Sequence, residues 1–175
     1  TIFHYTYKHL KFLKILKIEY FTISLLGLIG TMIMISANSL LMLYLGIELL
    51  SLSLYALIGF NKKSSLSSEA AIKYYVLGAM SSGILLFGIS LIYGFTGSIG
   101  YDDIASQLIN IDINSVDYIA IIFGIIFITA SLCFKFGAAP FHMWVPDIYQ
   151  GSLISTTILL STLPKIAVFI VFLKL

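Results

Sequence analysis

The 175 residues are 59% hydrophobic and only 10% charged, whereas an ordinary soluble domain is about a quarter charged. This composition excludes a soluble enzyme, a secreted disulfide scaffold and a disordered tail. The single cysteine, Cys133, rules out an intrachain disulfide and a cysteine-based metal site. The net charge of +2 is too small to indicate a nucleic acid partner.

A basic segment, residues 1–19, begins the sequence. Lys8, Lys11, Lys14 and Lys17 recur at every third position among leucines and phenylalanine. This pattern predicts a basic helix or juxtamembrane segment at the membrane interface. The alternative is a charged extramembrane lead-in with no specific role.

Long uncharged runs follow, and they predict five transmembrane helices. A helix needs about 20 mostly apolar residues to cross about 30 Å of hydrocarbon. The chain has two uncharged runs of 28 residues and two of 17, and a polar break at residues 36–39 divides its first apolar stretch. The runs lack the alternation of a membrane β-barrel, so the predicted class is all-α and polytopic over residues 20–175. The expected spans are residues 20–37, 39–60, 69–94, 117–138 and 152–174.

The lysines predict the orientation of these spans. The N-terminal segment, the second loop with its pair of lysines, and the fourth loop share one side, which we expect to face the cytoplasm or the mitochondrial matrix. The opposite side receives residues 95–116, which carry Asp102, Asp103 and Asp112. This loop lacks the glycine-centred pattern of a Ca²⁺ site, so we expect it to be solvated.

Three charges lie deep inside the expected spans. Glu48 is about 15 Å along its span, Lys135 about 27 Å and Lys165 near the middle. A charge at the centre of a bilayer costs at least about 2.5–3.5 kcal/mol, and such residues usually face the bundle interior and mark an ion or proton path. The alternatives are a structural ion pair for Glu48 and Lys135, and snorkelling for Lys165.

Polar stripes accompany these charges at helical spacing. Tyr44, Glu48, Ser51 and Tyr55 line one face of the second span. Thr157 and Ser161 precede Lys165 at intervals of four in the fifth span, and Ser131 precedes Lys135 in the fourth. Inward stripes of this kind can line a chain of waters. Ser and Thr hydroxyls that bond carbonyls of their own helix would explain part of the pattern.

Two spans are expected to be broken, because proline cannot donate to the helical ladder. Pro140 follows Lys135 closely, and Pro164 immediately precedes Lys165. Broken backbone at membrane depth is tolerated where it is buried or lines a cavity, and transport sites are often built there. The third span is instead rich in small residues, which predict close helix packing.

Two further residues are possible proton relays. Histidine is the residue type that can exchange protons near neutral pH, which makes His142 one candidate, although an interfacial histidine is the commoner arrangement. Lys73 lies just inside the third span and could feed a water path, whereas Lys174 is expected only to snorkel. No catalytic redox or hydrolytic site is visible, and the histidines lack metal-ligand spacing.

Four segments together resemble subunit 2 of proton-pumping NADH:ubiquinone oxidoreductase, respiratory complex I. They are residues 46–57 (GIELLSLSLYAL), 69–79 (EAAIKYYVLGA), 134–147 (FKFGAAPFHMWVPD) and 161–165 (STLPK). The resemblance runs from about residue 20 onward in the expected order. The Pro164-Lys165 pair separates this family from the sister antiporter-like subunits, which carry a His-Ala-Ala-type motif.

The resemblance implies roles for the buried charges. Glu48 matches a channel glutamate, Lys135 the lysine of a broken helix, and Lys165 the lysine of the next helix. These three would translocate protons, with Tyr44 and Ser161 as further relay candidates. The five spans would form the first of two inverted five-helix repeats.

The resemblance also implies partners and a location. No cofactor would be bound by this chain; NADH, flavin, iron–sulfur clusters and ubiquinone would belong to other subunits. Partners would be other membrane-arm subunits, membrane lipid and a second chain carrying the second repeat, so that the subunit is split. The expected location is the mitochondrial inner membrane, with the Lys-rich side in the matrix. The remaining alternatives are a structural subunit without its own proton route and a subunit of a cation/proton antiporter.

Overall fold

The computed structural model describes residues 2–109 and 115–174, so Asp112 lies outside the described residues. Within these ranges the regular structure is helical, apart from an isolated bridge between Ser39 and Gly100. The helices are α1 (Ile2–Phe12), α2 (Ile18–Ser36), α3 (Leu40–Ile58), α4 (Ser65–Thr96), α5 (Tyr101–Leu108), α6 (Val116–Phe136), α7 (Trp144–Gly151) and α8 (Ile154–Lys174).

The five expected spans correspond to α2, α3, α4, α6 and α8, which are long and apolar enough to cross a membrane. Their ends are set by local chemistry. Ser39, Ser64 and Ser115 each accept a hydrogen bond from a backbone N–H in the first turn of α3, α4 and α6. Gly97 and Gly137 end α4 and α6 in the left-handed conformation. The prediction of an all-α, multi-pass membrane protein is therefore confirmed.

Contacts between distant segments place the loops at two ends of the bundle. At one end, Tyr20 Oη lies 3.0 Å from Thr156 Oγ1, and Ser67 Oγ donates to the Gly151 carbonyl. At the other end, the Tyr101 N–H donates to the Asn38 carbonyl. The N-terminal segment, the α3–α4 loop and the α6–α8 connection thus share an end, as the lysine pattern predicts.

Lys174 does more than the snorkelling expected from its position. Its Nζ donates to the carbonyl oxygens of Ile35 at 2.5 Å and Ala37 at 3.3 Å. These carbonyls lie at the end of α2, where the last carbonyl groups have no N–H partner within the helix. The reason for the difference is that α8 ends beside α2, which spacing along the chain cannot reveal.

The expected acidic loop contains a helix. Asp102 and Asp103 stand in the first turn of α5, where the helix dipole favours negative charge. Ile104 of α5 is buried against the bundle, so the described part of this connection packs on the protein and is not a purely solvated loop.

Small residues let two pairs of helices approach closely. A Cβ on Gly30 of α2 would lie 2.6 Å from the Leu50 backbone nitrogen of α3. A Cβ on Gly88 of α4 would lie 2.7 Å from the Gly124 carbonyl of α6. The glycines on the opposite side of α4 do not act in this way, since Gly83 is exposed with open space around its Cβ position.

Of the two predicted helix breaks, the one after Lys135 is observed, and the prediction of a break at Pro164 is wrong. After Phe136 the chain leaves α6, and α7 begins at Trp144. By contrast, α8 continues through Pro164. Membrane helices tolerate proline because neighbouring helices and local adjustment of the backbone accommodate the lost bond. Pro164 is buried, and the carbonyl that loses its helical donor is that of Leu160, four residues earlier.

The long helix α4 packs against both parts of the broken helix, α6 and α7. Its 32 residues extend about 48 Å. Ser81 meets Ser131 of α6, whereas Tyr74 packs on Trp144 of α7. The break therefore lies against one continuous helix.

Candidate functional site

Lys135 is the centre of the site. It stands in the last turn of α6, where the chain leaves the helix, and only 6% of the residue is exposed. Its Nζ donates to Ser51 Oγ of α3 at 2.9 Å. Ser51 is about 17 Å from the first residue of the 19-residue α3, so the lysine reaches the middle depth of a span.

Glu48 lies one turn before Ser51 on the same side of α3. Its carboxylate forms no ion pair with Lys135, although it is close enough to attract that ammonium electrostatically. Its Oε1 is buried and has no hydrogen-bond partner among the described residues. A buried carboxylate oxygen without a partner is costly, so the carboxylate of Glu48 is available to a cationic partner.

A small cavity adjoins Lys135. It has a volume of about 10 Å³, which is about the space of one water molecule. Lys135, Ser51 and Tyr74 line it, together with Pro164 of α8. The cavity therefore extends from Lys135 to the residue that precedes Lys165.

The break beyond Lys135 is held in place by several contacts. The indole N–H of Trp144 donates to the Phe134 carbonyl at 3.0 Å. The N–H groups of Gly137 and Ala138 both donate to the Cys133 carbonyl, one of the last acceptors of α6. Gly137 has φ of 76°, a conformation that favours glycine. These contacts fix the backbone on which Lys135 stands.

Ser131, one turn before Lys135, is part of a buried contact between α4 and α6. Its Oγ lies 2.9 Å from Ser81 Oγ and donates to the Ser81 carbonyl at 2.8 Å. Both side chains are buried. This serine pair joins two helices, and it contacts a carbonyl of α4 rather than the ammonium of Lys135.

The remaining sequence-predicted residues divide into two groups. Lys165, Tyr44 and Ser161 are half-buried, and Tyr44 lies within electrostatic range of Glu48. The Ser161 hydroxyl donates to the Ile158 carbonyl of its own helix. This is the alternative given above for the polar stripes, in which a hydroxyl bonds its own helix.

His142 and Lys73 lie outside the buried site. The His142 side chain is exposed in the turn between α6 and α7. Lys73 is exposed as well and pairs with Glu69 at 2.7 Å and Asp147 at 3.0 Å. The structure therefore does not bring these two candidates together with Lys135.

Two site residues were not among the sequence-predicted proton carriers. Ser51 had a signal, because it belongs to the polar stripe with Glu48, but its direct bond to Lys135 depends on how α3 and α6 face each other. Tyr74 is fully buried beside the cavity and had no signal beyond its type. Among the described residues, no group of three His, Cys, Asp or Glu side chains could hold a metal.

Comparisons with known proteins agree with this architecture. Residues 37–175 match the family model described as NADH:quinone oxidoreductase/Mrp antiporter, transmembrane. The NADH-quinone oxidoreductase subunit N of Ruthia magnifica is 53% identical over 151 residues, which are 86% of this chain and 31% of that protein. The chain thus spans about a third of the length of this curated relative.

Solved structures show the same fold. A chain of respiratory complex I from Thermus thermophilus is similar with a TM-score of 0.77 and 31% identity, over 91% of this chain and 34% of that one. A chain of the Mrp complex from Dietzia shares the fold with a TM-score of 0.70 at 23% identity, over 82% and 26% of the two chains. The family match covers most of the chain and includes Glu48, Lys135 and Lys165, so this protein belongs to the NADH:quinone oxidoreductase/Mrp antiporter transmembrane family.

Proposed function

We propose that this chain is part of a membrane-arm subunit of respiratory complex I, of the subunit 2 or subunit N type, and takes part in proton translocation driven by electron transfer from NADH to ubiquinone. The observation that carries the proposal is the buried Lys135 in the broken helix, hydrogen-bonded to Ser51 and within electrostatic range of Glu48. The similarity to subunit N supports the assignment to this complex.

In this mechanism Lys135 carries the proton. Approach of the Glu48 carboxylate stabilises the ammonium form, and separation of the two favours release of the proton. Moving one charge against about 100 mV costs about 2.3 kcal/mol. The attraction between two charges about 4 Å apart is of that order at the effective dielectric of a protein, so modulating one ion pair is sufficient to drive the step.

Lys165 would receive the proton next. The water-sized cavity that Lys135 and Pro164 both line supports this direction, because Pro164 immediately precedes Lys165. Tyr44 and Ser161 remain candidates for further relay at either end of this route.

The redox chemistry is proposed to lie on other subunits. NADH, flavin, iron–sulfur clusters and ubiquinone would be bound there, and this chain would respond to conformational changes transmitted through its neighbours. Two further points stay predictions. One is a second repeat on a separate chain, and the other is a location in the mitochondrial inner membrane with the Lys-rich end in the matrix. The relatives named above are bacterial.

The N-terminal segment is proposed to lie at the membrane interface. Thr6 and Leu10 of α1 are buried, whereas Lys8 and Lys11 are exposed. The bundle-facing residues are thus separated from the lysines, which suits a helix between the protein and the headgroups.

Substitution in the assembled complex tests the function. Lys135→Ala and Glu48→Gln are expected to lower proton pumping per NADH oxidised, measured in vesicles containing the complex, while assembly on native gels is retained. Lys63→Ala removes an exposed lysine of the α3–α4 loop and is the matched control. Normal pumping by assembled Lys135→Ala complex would contradict the proposal and favour a purely structural subunit.

A second candidate is a subunit of a cation/proton antiporter, which the inclusion of Mrp antiporters in the family supports. Purification of the native assembly distinguishes the two. Flavin and iron–sulfur subunits that copurify with this chain would exclude the antiporter, whereas their absence would favour it.

A further inference from the structure

We propose that Ser51 is a positioning residue that gives Lys135 a second resting place, distinct from Glu48, where the lysine can lose its proton. This inference rests on the proposed function and deepens it. In this proposal Lys135 alternates between two neighbouring acceptors on one helix, the Ser51 hydroxyl and the Glu48 carboxylate.

The two acceptors are within reach of one lysine side chain. Ser51 and Glu48 are three residues apart on α3, which separates them by about 4.5 Å along the helix axis. A lysine has a flexible four-carbon stem, so its ammonium can move between them without movement of the backbone. In the structure Lys135 is bonded to Ser51 at 2.9 Å, and Glu48 Oε1 is buried without a partner among the described residues.

The chemistry of the two acceptors differs in the way that proton release requires. A carboxylate only accepts hydrogen bonds, so Glu48 stabilises the ammonium form of Lys135 and not the neutral amine. A serine hydroxyl can both accept and donate. Ser51 can therefore accept from the ammonium and, once the proton has left, donate its own O–H to the amine nitrogen.

The proton has a place to go from this position. Ser51 and Lys135 both line the water-sized cavity, which Pro164 of α8 also lines. Release transfers one proton from Lys135 Nζ to a water in the cavity and leaves the amine lone pair free to accept from Ser51. The Glu48 carboxylate is unchanged in this step.

Ser51 lies in a packed part of the bundle. It is 2% exposed. The next residue along the stripe, Tyr55, packs edge-on against Tyr74 with ring centroids 5.0 Å apart. Both acceptors of the proposal stand on α3, so the long side chain of Lys135 is the part that moves between them.

The test compares two serines of the same helix in the assembled complex. Ser51→Ala removes the hydroxyl that contacts Lys135. Ser53→Ala is the matched control, because Ser53 is also buried but bonds the Leu49 carbonyl of its own helix. We expect Ser51→Ala to slow proton-coupled turnover about tenfold, the size expected for a lost hydrogen bond to a charged group. Ser53→Ala should remain near the native rate, and Ser51→Thr, which keeps the hydroxyl, should recover part of the loss.

A double variant separates positioning from a merely structural role. If Ser51 and Glu48 hold the same lysine in turn, Ser51→Ala should add little to the defect of Glu48→Gln, because residues that act as a unit are not additive. Additive defects, or equal rates for the two serine variants, would overturn the inference.

The outcome is distinguishable from failure of the proposed function. Reduced pumping by Lys135→Ala and Glu48→Gln together with normal pumping by Ser51→Ala overturns the role of Ser51 alone. Normal pumping by all three overturns the proposed function and this inference with it.

Discussion

Trp144, the first residue of α7, donates its indole N–H to the carbonyl oxygen of Phe134 in the last turn of α6, at 3.0 Å. The bond crosses the helix break, so the position of Lys135 depends on a side chain that never touches it. The indole ring also packs on Tyr74 and Phe134, with ring centroids 5.0 and 5.8 Å away.

Replacing Trp144 with Phe keeps an aromatic ring at this position and removes the hydrogen bond. We expect the assembled complex to lose about 1 kcal/mol of stability and to pump several-fold more slowly, because the turn before the break loses a support. Thermal inactivation and pumping in vesicles measure the two effects. Tyr149→Phe is the control, because the buried Tyr149 hydroxyl has no partner in the described part of the chain. Equal behaviour of the two variants would contradict a role for the indole N–H.

The backbone at Gly137 is a second determinant of the break. Gly137→Ala places a side chain at φ of 76°, and its Cβ would lie 3.1 Å from Val145 Cγ2. A cost of about 1–2 kcal/mol is expected for the left-handed conformation alone, and displacement of Lys135 should lower the pumping rate. Gly83→Ala is the matched control, since Gly83 is an exposed helical glycine with open space around it. Native pumping by Gly137→Ala would show that the glycine is not required.

The crossing of α2 and α3 predicts an assembly defect. Gly30→Ala would place a Cβ 2.6 Å from the Leu50 backbone nitrogen and 3.1 Å from the Gly46 carbonyl. Backbone atoms cannot move aside as a flexible side chain can, so the helices must separate. The expected result is a lower yield of assembled complex on native gels. Gly94→Ala, with no atom near its Cβ position, should assemble normally; a matching yield for both variants would contradict the tight crossing.

The ion pair between Lys73 and Asp147 tests whether Lys73 is a relay. Both side chains are exposed, and exposed pairs contribute about 0–1 kcal/mol. Asp147→Asn is therefore expected to leave assembly intact and to change stability only slightly. If Lys73 served only its two exposed ion pairs, with Glu69 and Asp147, Lys73→Gln would differ little from Asp147→Asn in the pumping assay. A much larger defect in Lys73→Gln would assign it to a proton path.

The spans could be predicted closely because charges are rare and most of them fall at the span ends. The break after Phe136 was also predictable, because Pro140 cannot donate to the helical ladder and glycine, here Gly137, commonly ends a helix. Pro164 misled the prediction, because α8 continues through it while the residue is buried in the bundle. Local sequence does not contain the packing between helices that holds a proline-containing helix together.

The pairing within the site was less accessible to sequence reasoning. Periodicity places Glu48 and Ser51 on one face of α3, and it identifies Lys135 as buried. It does not give the rotation of α6 relative to α3, on which the choice between Ser51 and Glu48 as the partner of Lys135 depends. The same limit explains why Lys174, which reaches the end of α2, could not be assigned its partners in advance.

The first and last spans are fastened together at both membrane faces. Tyr20 meets Thr156 at one face, and Lys174 holds the carbonyls of Ile35 and Ala37 at the other. A helix tied at both ends cannot rock as a lever without breaking one of the ties. Relative movement of α2 and α8 is therefore expected to be small, so that proton exchange at Lys165, which stands on α8, relies on rotation of side chains and reorientation of water.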